Sequence, residues 1–380
     1  MSARLGRLVI EFDGSHPVRD LIESELGITP AGMAGPDLTI NIGADPPQGA
    51  GPRLSGSRLA LRHSVANIDG ALRVSMGMKY GGTFYTVDVH DPLLEAGNVR
   101  VDVYLGKNLK AWSRVTTPLA RLFSRDASNL LETAAKNVIY EIIDPLAEYR
   151  LLSVGSSLVH ASGLNRSGRT VLLAGTGGVG KSTSLLSAMS SDTSLAYIGD
   201  DMVVVDRDGT VYRHPKRIQV YAYNVGGNPK VRRRVLAGMS RGRRLLWRTR
   251  AGLLGAKQSR TRVRAEELFG AERVDDRGEL GCVIWLTTTS KGRPGIEPME
   301  ASTLAGRCGV ALLDELWDFN RLMSLGSLLM PDGVTSADLQ ARATEVYLAA
   351  FGPVPCFEMV VPYRADPMRL AEVALSVVDW

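Results

Sequence analysis

The chain has 380 residues, 44% of them hydrophobic and 22% charged, with a formal net charge of +5. That balance excludes a disordered or low-complexity chain, and the length admits two domains with sizeable cores. Its apolar runs are strand-sized, too short for a bilayer span, and the N-terminal stretch lacks the apolar segment of a secretory leader, so a cytoplasmic protein with no transmembrane segment is expected.

Residues 1–125 read as a β-rich domain. "RLVIEF", "DLTINIG", "SRLALRHS", "ALRVSMGM", "GTFYTVDVH" and "VRVDVYLG" are β-prone runs separated by Gly, Pro, Asp and Asn, with a Pro/Gly cluster at residues 46–52. His63 and His90 stand alone there, and no catalytic constellation is visible. From Ser128 the period changes to helical: Leu130, Ala134, Val138 and Ile142 form an apolar stripe predicted to end near Pro145. "LLSVGSSLVHASGL" and "RTVLLAGT" predict adjacent strands around residues 151–176. "KSTSLLSAM" opens a helix, and "LAYIGDDMVVVD" reads as one strand with two acids near its centre. Further on, "GCVIWLTTT" and "VPCFEMVVPY" read as strands, and "EASTLAGRCGVALLDELW" and "SADLQARATEVYLAAFG" as helices. A closing helix is N-capped by Asp366 before Pro367. Cys282, Cys308 and Cys356 lie far apart without C-x-x-C spacing and are expected to be reduced thiols.

The stretch "LLAGTGGVGKSTSLL", residues 172–186, satisfies two nucleotide patterns at once. Gly175, Gly177 and Gly180 match a dinucleotide fingerprint, and Asp200 lies at the distance that fingerprint wants for its acid. Lys181 and Ser182 have no task in that reading. In a P-loop, by contrast, residues Gly175, Thr176, Gly177, Gly178, Val179 and Gly180 wrap phosphate with backbone N–H groups. Lys181 then reaches the terminal phosphates, Ser182 ligates Mg²⁺, and Thr183 continues the helix start. The P-loop reading therefore prevails. The doublet Asp200-Asp201 follows on the next apolar run, where one carboxylate can hold metal and the other can take a proton from an attacking hydroxyl. Like charges side by side raise one pKa of such a pair. His160 ends the run "SLVH" ahead of the loop strand and lies near the phosphates if those strands are neighbours. Arg213, His214, Lys216 and Arg217 come next, as candidate phosphate or acceptor clamps or as a solvated strand edge.

His160, the loop 175–182 and the pair Asp200-Asp201 together resemble the HPr kinase/phosphorylase family and its diverged relatives. The resemblance covers roughly residues 128–225. It implies an α/β fold with a P-loop nucleotide-binding core of the HPr kinase/phosphoenolpyruvate carboxykinase type, spanning residues 126–380 behind the β-rich domain. It also implies ATP or GTP with Mg²⁺ as cofactors and transfer of the γ-phosphoryl group to a hydroxyl. That hydroxyl would be a Ser or Thr of a peptide or protein, or a small-molecule alcohol. By the same resemblance Asp200 is the general base, His160 contacts phosphate or acceptor, and Asp201 with Ser182 attends the metal. The chain departs from the family in Ala161, where HPr kinases carry Gly, and in lacking their second glycine-rich signature. An NTPase switch acting on a partner is the alternative.

Residues 230–264 hold 13 of the 45 Lys and Arg and no acid, leaving 32 basic against 40 acidic residues elsewhere. This basic insert reads as partly helical, serving as a lid, a docking surface for an acidic peptide or protein, a solvated face, or a contact to nucleic acid or an anionic membrane. With one aromatic, Trp247, it is a poor base-stacking platform, so nucleic acid is not the favoured partner.

Overall fold

The computed structural model describes residues 2–14, 16–27, 36–43, 63–68, 71–77, 84–90, 99–105, 130–226, 228–290, 292–317, 320, 324, 334–363 and 365–378. The chain is a mixed α/β protein of two compact units. One comprises Met1–Ser124, Ser128–Val154 and Leu316–Leu339; the other comprises Arg125–Ala127, Gly155–Glu315 and Gln340–Trp380.

The first unit contains strands β1 (Ser2–Leu5), β2 (Leu8–Asp13), β3 (Leu38–Gly43), β4 (His63–Ile68), β5 (Ala71–Gly77), β6 (Phe84–Val89) and β7 (Val99–Leu105). They form one sheet in the order β1-β2-β3-β7-β6-β5-β4, with β2, β3 and β7 parallel. Strict alternation along β3 puts Leu38, Ile40 and Ile42 in the core, as a half-buried strand requires. The run "SRLALRHS" lies almost wholly outside the described residues, and so does the Pro/Gly cluster at 46–52. His90 is not alone: its Nε2 lies 2.6 Å from Asp102 Oδ2.

Two helical features of this unit depart from expectation. Helix α1 (Pro17–Leu26) interrupts the β pattern, buries Val18, Ile22 and Leu26 at i, i+4 spacing, and is capped by His16 Nδ1 accepting from Val18 N. The stripe from Leu130 forms α2 (Leu130–Val138) but does not end near Pro145. A π-helical turn at Ile139–Ile143 leads into α3 (Asp144–Ser153), which carries Pro145 in its first turn. The wide turn removes the need for the hydrogen bond that proline cannot donate, so the helix runs on.

The second unit is built on β8 (Ser156–Val159), β9 (Ala161–Arg166), β10 (Arg169–Ala174), β11 (Ala196–Gly199), β12 (Val203–Asp206) and β13 (Thr210–Arg213). A ribbon of β14 (Ile218–Tyr221) and β15 (Arg260–Val263) follows, then β16 (Arg277–Thr289), β17 (Gly295–Pro298) and β18 (Cys356–Pro362). The main sheet runs β11-β9-β10-β16-β13-β12-β8, with β18 parallel to β16, itself parallel to β10. Its helices are α4 (Lys181–Ser191), α5 (Pro229–Ala237), α6 (Arg241–Leu253), α7 (Ala265–Phe269), α8 (Ala301–Glu315), α9 (Ser336–Phe351) and α10 (Pro367–Leu375). Asp366 N-caps α10, accepting from Met368 N at 2.9 Å.

Two apolar clusters flank the glycine-loop strand. Val171, Leu173, Ile284, Leu286, Met359 and Leu370 form one. In the other, Leu185, Leu186 and Met189 of α4 meet Val231, Val235 and Trp247 of the insert. The insert is therefore folded, with its apolar half built into the core. Among the described residues, no helix is long and apolar enough to cross a membrane. All three cysteines are buried thiols, and burial pushes Cys282 up to about 12.

Candidate functional site

β10 lies inside the sheet between β9 and β16, so the loop that leaves it emerges from a rigid, buried edge. Gly175, Gly178 and Gly180 all have left-handed φ values, of 150°, 82° and 106°, which glycine adopts without steric cost. A Cβ on Gly175 would stand 3.0 Å from Leu286 O, whereas one on Gly178 would meet nothing within 4 Å. The first glycine seats the loop against the sheet, and the later one opens the backbone to the cleft. Lys181 begins α4, and its Nζ donates to Gly175 O at 2.7 Å and Thr176 O at 2.9 Å. Burial pulls its ammonium below the usual lysine range, against the pull of Asp201 and Asp200.

The acid pair is not in the middle of a strand. "LAYIGDDMVVVD" breaks into β11, which pairs with β9, and β12, which pairs with β8 and β13. Asp200-Asp201 forms the turn between them, with Asp201 at φ 74°. A left-handed non-glycine residue costs about 1–3 kcal/mol, and such strain gathers at functional sites. The turn directs the two carboxylates differently. Asp200 is 6% exposed, and its Oδ1 accepts from Ser162 Oγ at 2.6 Å and Ser182 Oγ at 2.8 Å. Burial raises its pKa to about 6, opposed by the Ser162 bond and reinforced by the Asp201 charge. Its Oδ2 has no hydrogen bond among the described residues. Asp201 instead faces Lys216 Nζ at 3.5 Å and His160 Nε2 at 3.8 Å. Ser182 Oγ thus donates to Asp200, while Asp201 turns toward Lys216 and His160.

His160 sits at the crossing from β8 to β9, where one chain segment passes from pairing with β12 to pairing with β10. It is buried, and its Nδ1 lies 3.1 Å from Glu315 Oε1, outside hydrogen-bond alignment. Burial, then the Lys181 charge, lowers its pKa to about 4, so the ring is neutral near pH 7. Burial also raises the pKa of Glu315.

These groups open on one cleft of about 800 Å³ lined by His160, Gly177 through Thr183, Asp200, Asp201 and Glu315. One wall carries Gln219, Tyr221, Tyr223 and Lys257; the other carries Val361, Pro362, Tyr363 and Leu370. Tyr221 and Tyr223 stack at 5.3 Å. Asn224 Nδ2 donates to Thr183 Oγ1 at 2.6 Å, tying the turn after β14 to the loop helix. Of the basic quartet after the acids, Lys216 reaches the site. Arg213 is engaged by Glu266 at 2.7 Å and Asp276 at 2.9 Å, and His214 is buried, accepting from Lys216 N. At the far end of α4, Arg273 donates to Met189 O, Asp192 O and Leu195 O, at 2.9, 2.7 and 2.9 Å.

Sequence reasoning missed Ser162, Glu315 and the tyrosine wall. Ser162 had a faint signal, two residues after His160 on the same run. Glu315 had none, since only the fold carries the end of α8 to His160.

No family model matches the chain, and no curated protein matches it. Among solved structures, 28 chains match. One is the structure of the Hpr(Ser) kinase/phosphatase from Coxiella burnetii, 12% identical, covering 58% of this chain and 95% of that one, with a TM-score of 0.27.

Proposed function

We propose that the protein is a nucleotide-dependent kinase that transfers the γ-phosphoryl group of ATP or GTP to a hydroxyl, with residues 126–380 as a kinase domain of the diverged HPr kinase type. The observation that carries this reading is the 2.8 Å bond between Ser182 Oγ and Asp200 Oδ1, which joins the glycine loop to the acid pair at one cleft. A dinucleotide site has no use for that junction, or for a lysine at the loop's mouth.

The residues fit a nucleotide triphosphate and Mg²⁺. Space above Gly178 leaves backbone N–H groups accessible to phosphate oxygens, at the N-terminus of an eleven-residue helix. Ser182 with the Asp200-Asp201 pair offers hard oxygen donors of the kind Mg²⁺ takes alongside phosphates and water. Bound there, the metal would neutralise charge on the phosphates. The chain's own groups do the rest. Lys181 exchanges its two carbonyl partners for phosphate oxygens. Asp200 Oδ2 takes the proton of the acceptor hydroxyl, whose oxygen attacks the γ-phosphorus. The bond from that phosphorus to the bridging oxygen breaks, and the nucleoside diphosphate leaves with the electron pair. Neutral His160 and Lys216 hold Asp201 and line the path of the transferred group. The cleft volume lies within the range of substrate pockets and accommodates more than the phosphates alone.

The test is incubation with γ-labelled ATP or GTP and a panel of serine peptides and small alcohols. Label on an acceptor, lost in Lys181→Ala, supports the kinase; free phosphate alone, whatever the acceptor, supports an NTPase switch instead.

A further inference from the structure

Charge and exposed leucine meet on one helix of the insert. α6 is N-capped by Ser240, whose Oγ accepts from Arg243 N. Its inner face is fixed to the body: Trp247 and Arg250 are buried, Arg250 donates to Gln258 O, and Arg244 donates to Leu236 O. Its outer face is different. Leu245 is 69% exposed and Leu253 76%, and Leu254 follows just past the helix end at 46%. Arg241 and Arg248 stand four residues before and three after Leu245, on the same face. Arg241, Arg243 and Arg248 are exposed and make no ion pair among the described residues. The insert contains no acid that could serve them.

We propose that this outer face of α6 is a binding surface for an anionic lipid bilayer. The reading is independent of the kinase chemistry. A helix with apolar tips between arginines lies in the plane of a membrane, its leucines in the acyl boundary and its cations among the headgroups. The other anionic partners use the face less well. Nucleic acid rewards aromatic platforms, and the insert's one aromatic is turned inward. A partner peptide wants a groove, and a single convex helix face offers none. Only a bilayer takes the leucines and the arginines together, and the helix is already folded, so docking carries no ordering cost.

The test is co-sedimentation of the full chain with phosphatidylcholine vesicles, with and without phosphatidylglycerol. Binding to the anionic vesicles, weak binding to neutral ones and loss at high salt are expected. Each arginine near such a surface contributes about fivefold, so Arg241→Gln/Arg248→Gln binds on the order of 25-fold more weakly. Leu245→Ser/Leu253→Ser loses about tenfold at unchanged charge, unchanged thermal midpoint and unchanged nucleotide binding. No binding to anionic vesicles overturns the proposal. So does a leucine variant that binds as the unaltered chain does, particularly if duplex DNA or polyglutamate competes equally, because the contact is then charge alone. A concentration-dependent dimer abolished by the leucine substitutions also overturns it, since the face then belongs to a second copy.

Discussion

Two regions of the second unit are rich in charge and treat it in opposite ways. Around the glycine loop, Lys181, Lys216, Asp200, Asp201, Glu315 and His160 point inward, and nearly every polar atom has an oxygen or nitrogen partner within reach. On the outside of α6, by contrast, Arg241, Arg243 and Arg248 are exposed and make no ion pair among the described residues. Desolvation shifts the proton affinities of His160, Lys181, Asp200 and Glu315, and the fold carries a stability cost to keep them. The second group stands in water, where a charge costs little. Charge density in a sequence therefore does not locate a reaction site; burial and partners separate working charge from surface charge.

The largest test of that contrast is Asp200→Asn. Transfer is expected to fall by about a thousandfold, the range of a lost general base, with nucleotide affinity changed only a few-fold. Thermal stability without ligands should rise at pH 7. The folded pKa of about 6 exceeds the ordinary aspartate value of about 4. Between those values the folded protein keeps a proton that the unfolded chain has lost. Stability therefore declines as pH rises through that window, and asparagine removes the penalty, worth on the order of 1–3 kcal/mol. Retained transfer, or a lower midpoint, would break the comparison at its centre.

Lys181→Ala comes next, with nucleotide affinity expected to drop by about a hundredfold in equilibrium binding, the scale of lost charge-assisted bonds to phosphate. A variant that binds as before removes Lys181 from the site. The pH profile is a gentler probe. Below about pH 6, kcat/KM should fall tenfold per unit as Asp200 takes up its proton, with a plateau above. His160, at about 4, stays neutral over that limb and cannot cause it. Persistence of the limb in Asp200→Asn would reassign it to another group. Smallest are two stability measurements. Asp201→Gly relieves a left-handed backbone but removes the carboxylate that faces the buried Lys216 ammonium, so stability should fall by about 1 kcal/mol or more while transfer declines. Arg248→Gln in the exposed set should change stability by less than about 0.5 kcal/mol.

The glycine loop was legible because its pattern is local: the glycines, Lys181 and Ser182 fall within eight consecutive residues, and strand and helix flank them as expected. The acid pair was legible in identity but not in placement. A run of apolar residues on both sides of two acids has strand periodicity throughout, and nothing but Gly199 marks the reversal. The continuous strand gave way because β11 and β12 pair with different neighbours. α1 was missed because ten residues with four apolar positions are outweighed by the β-prone runs around them. Ser162 reaches Asp200 through sheet order, and helix placement brings Glu315 to the cleft, 3.1 Å from His160 and 155 positions along the chain from it. No window of sequence contains that distance.

Arg273 gathers three carbonyls, those of Met189, Asp192 and Leu195, at and just beyond the end of α4 remote from the loop. An eleven-residue helix is about 16 Å long, and its other end presents Lys181 and Ser182. The guanidinium therefore acts as the anchor bolt of a strut whose free tip is the glycine loop. Substitutions far from any ligand can tune the reach of that tip, which makes the neighbourhood of Arg273 the place to seek second-site changes that restore a weakened loop.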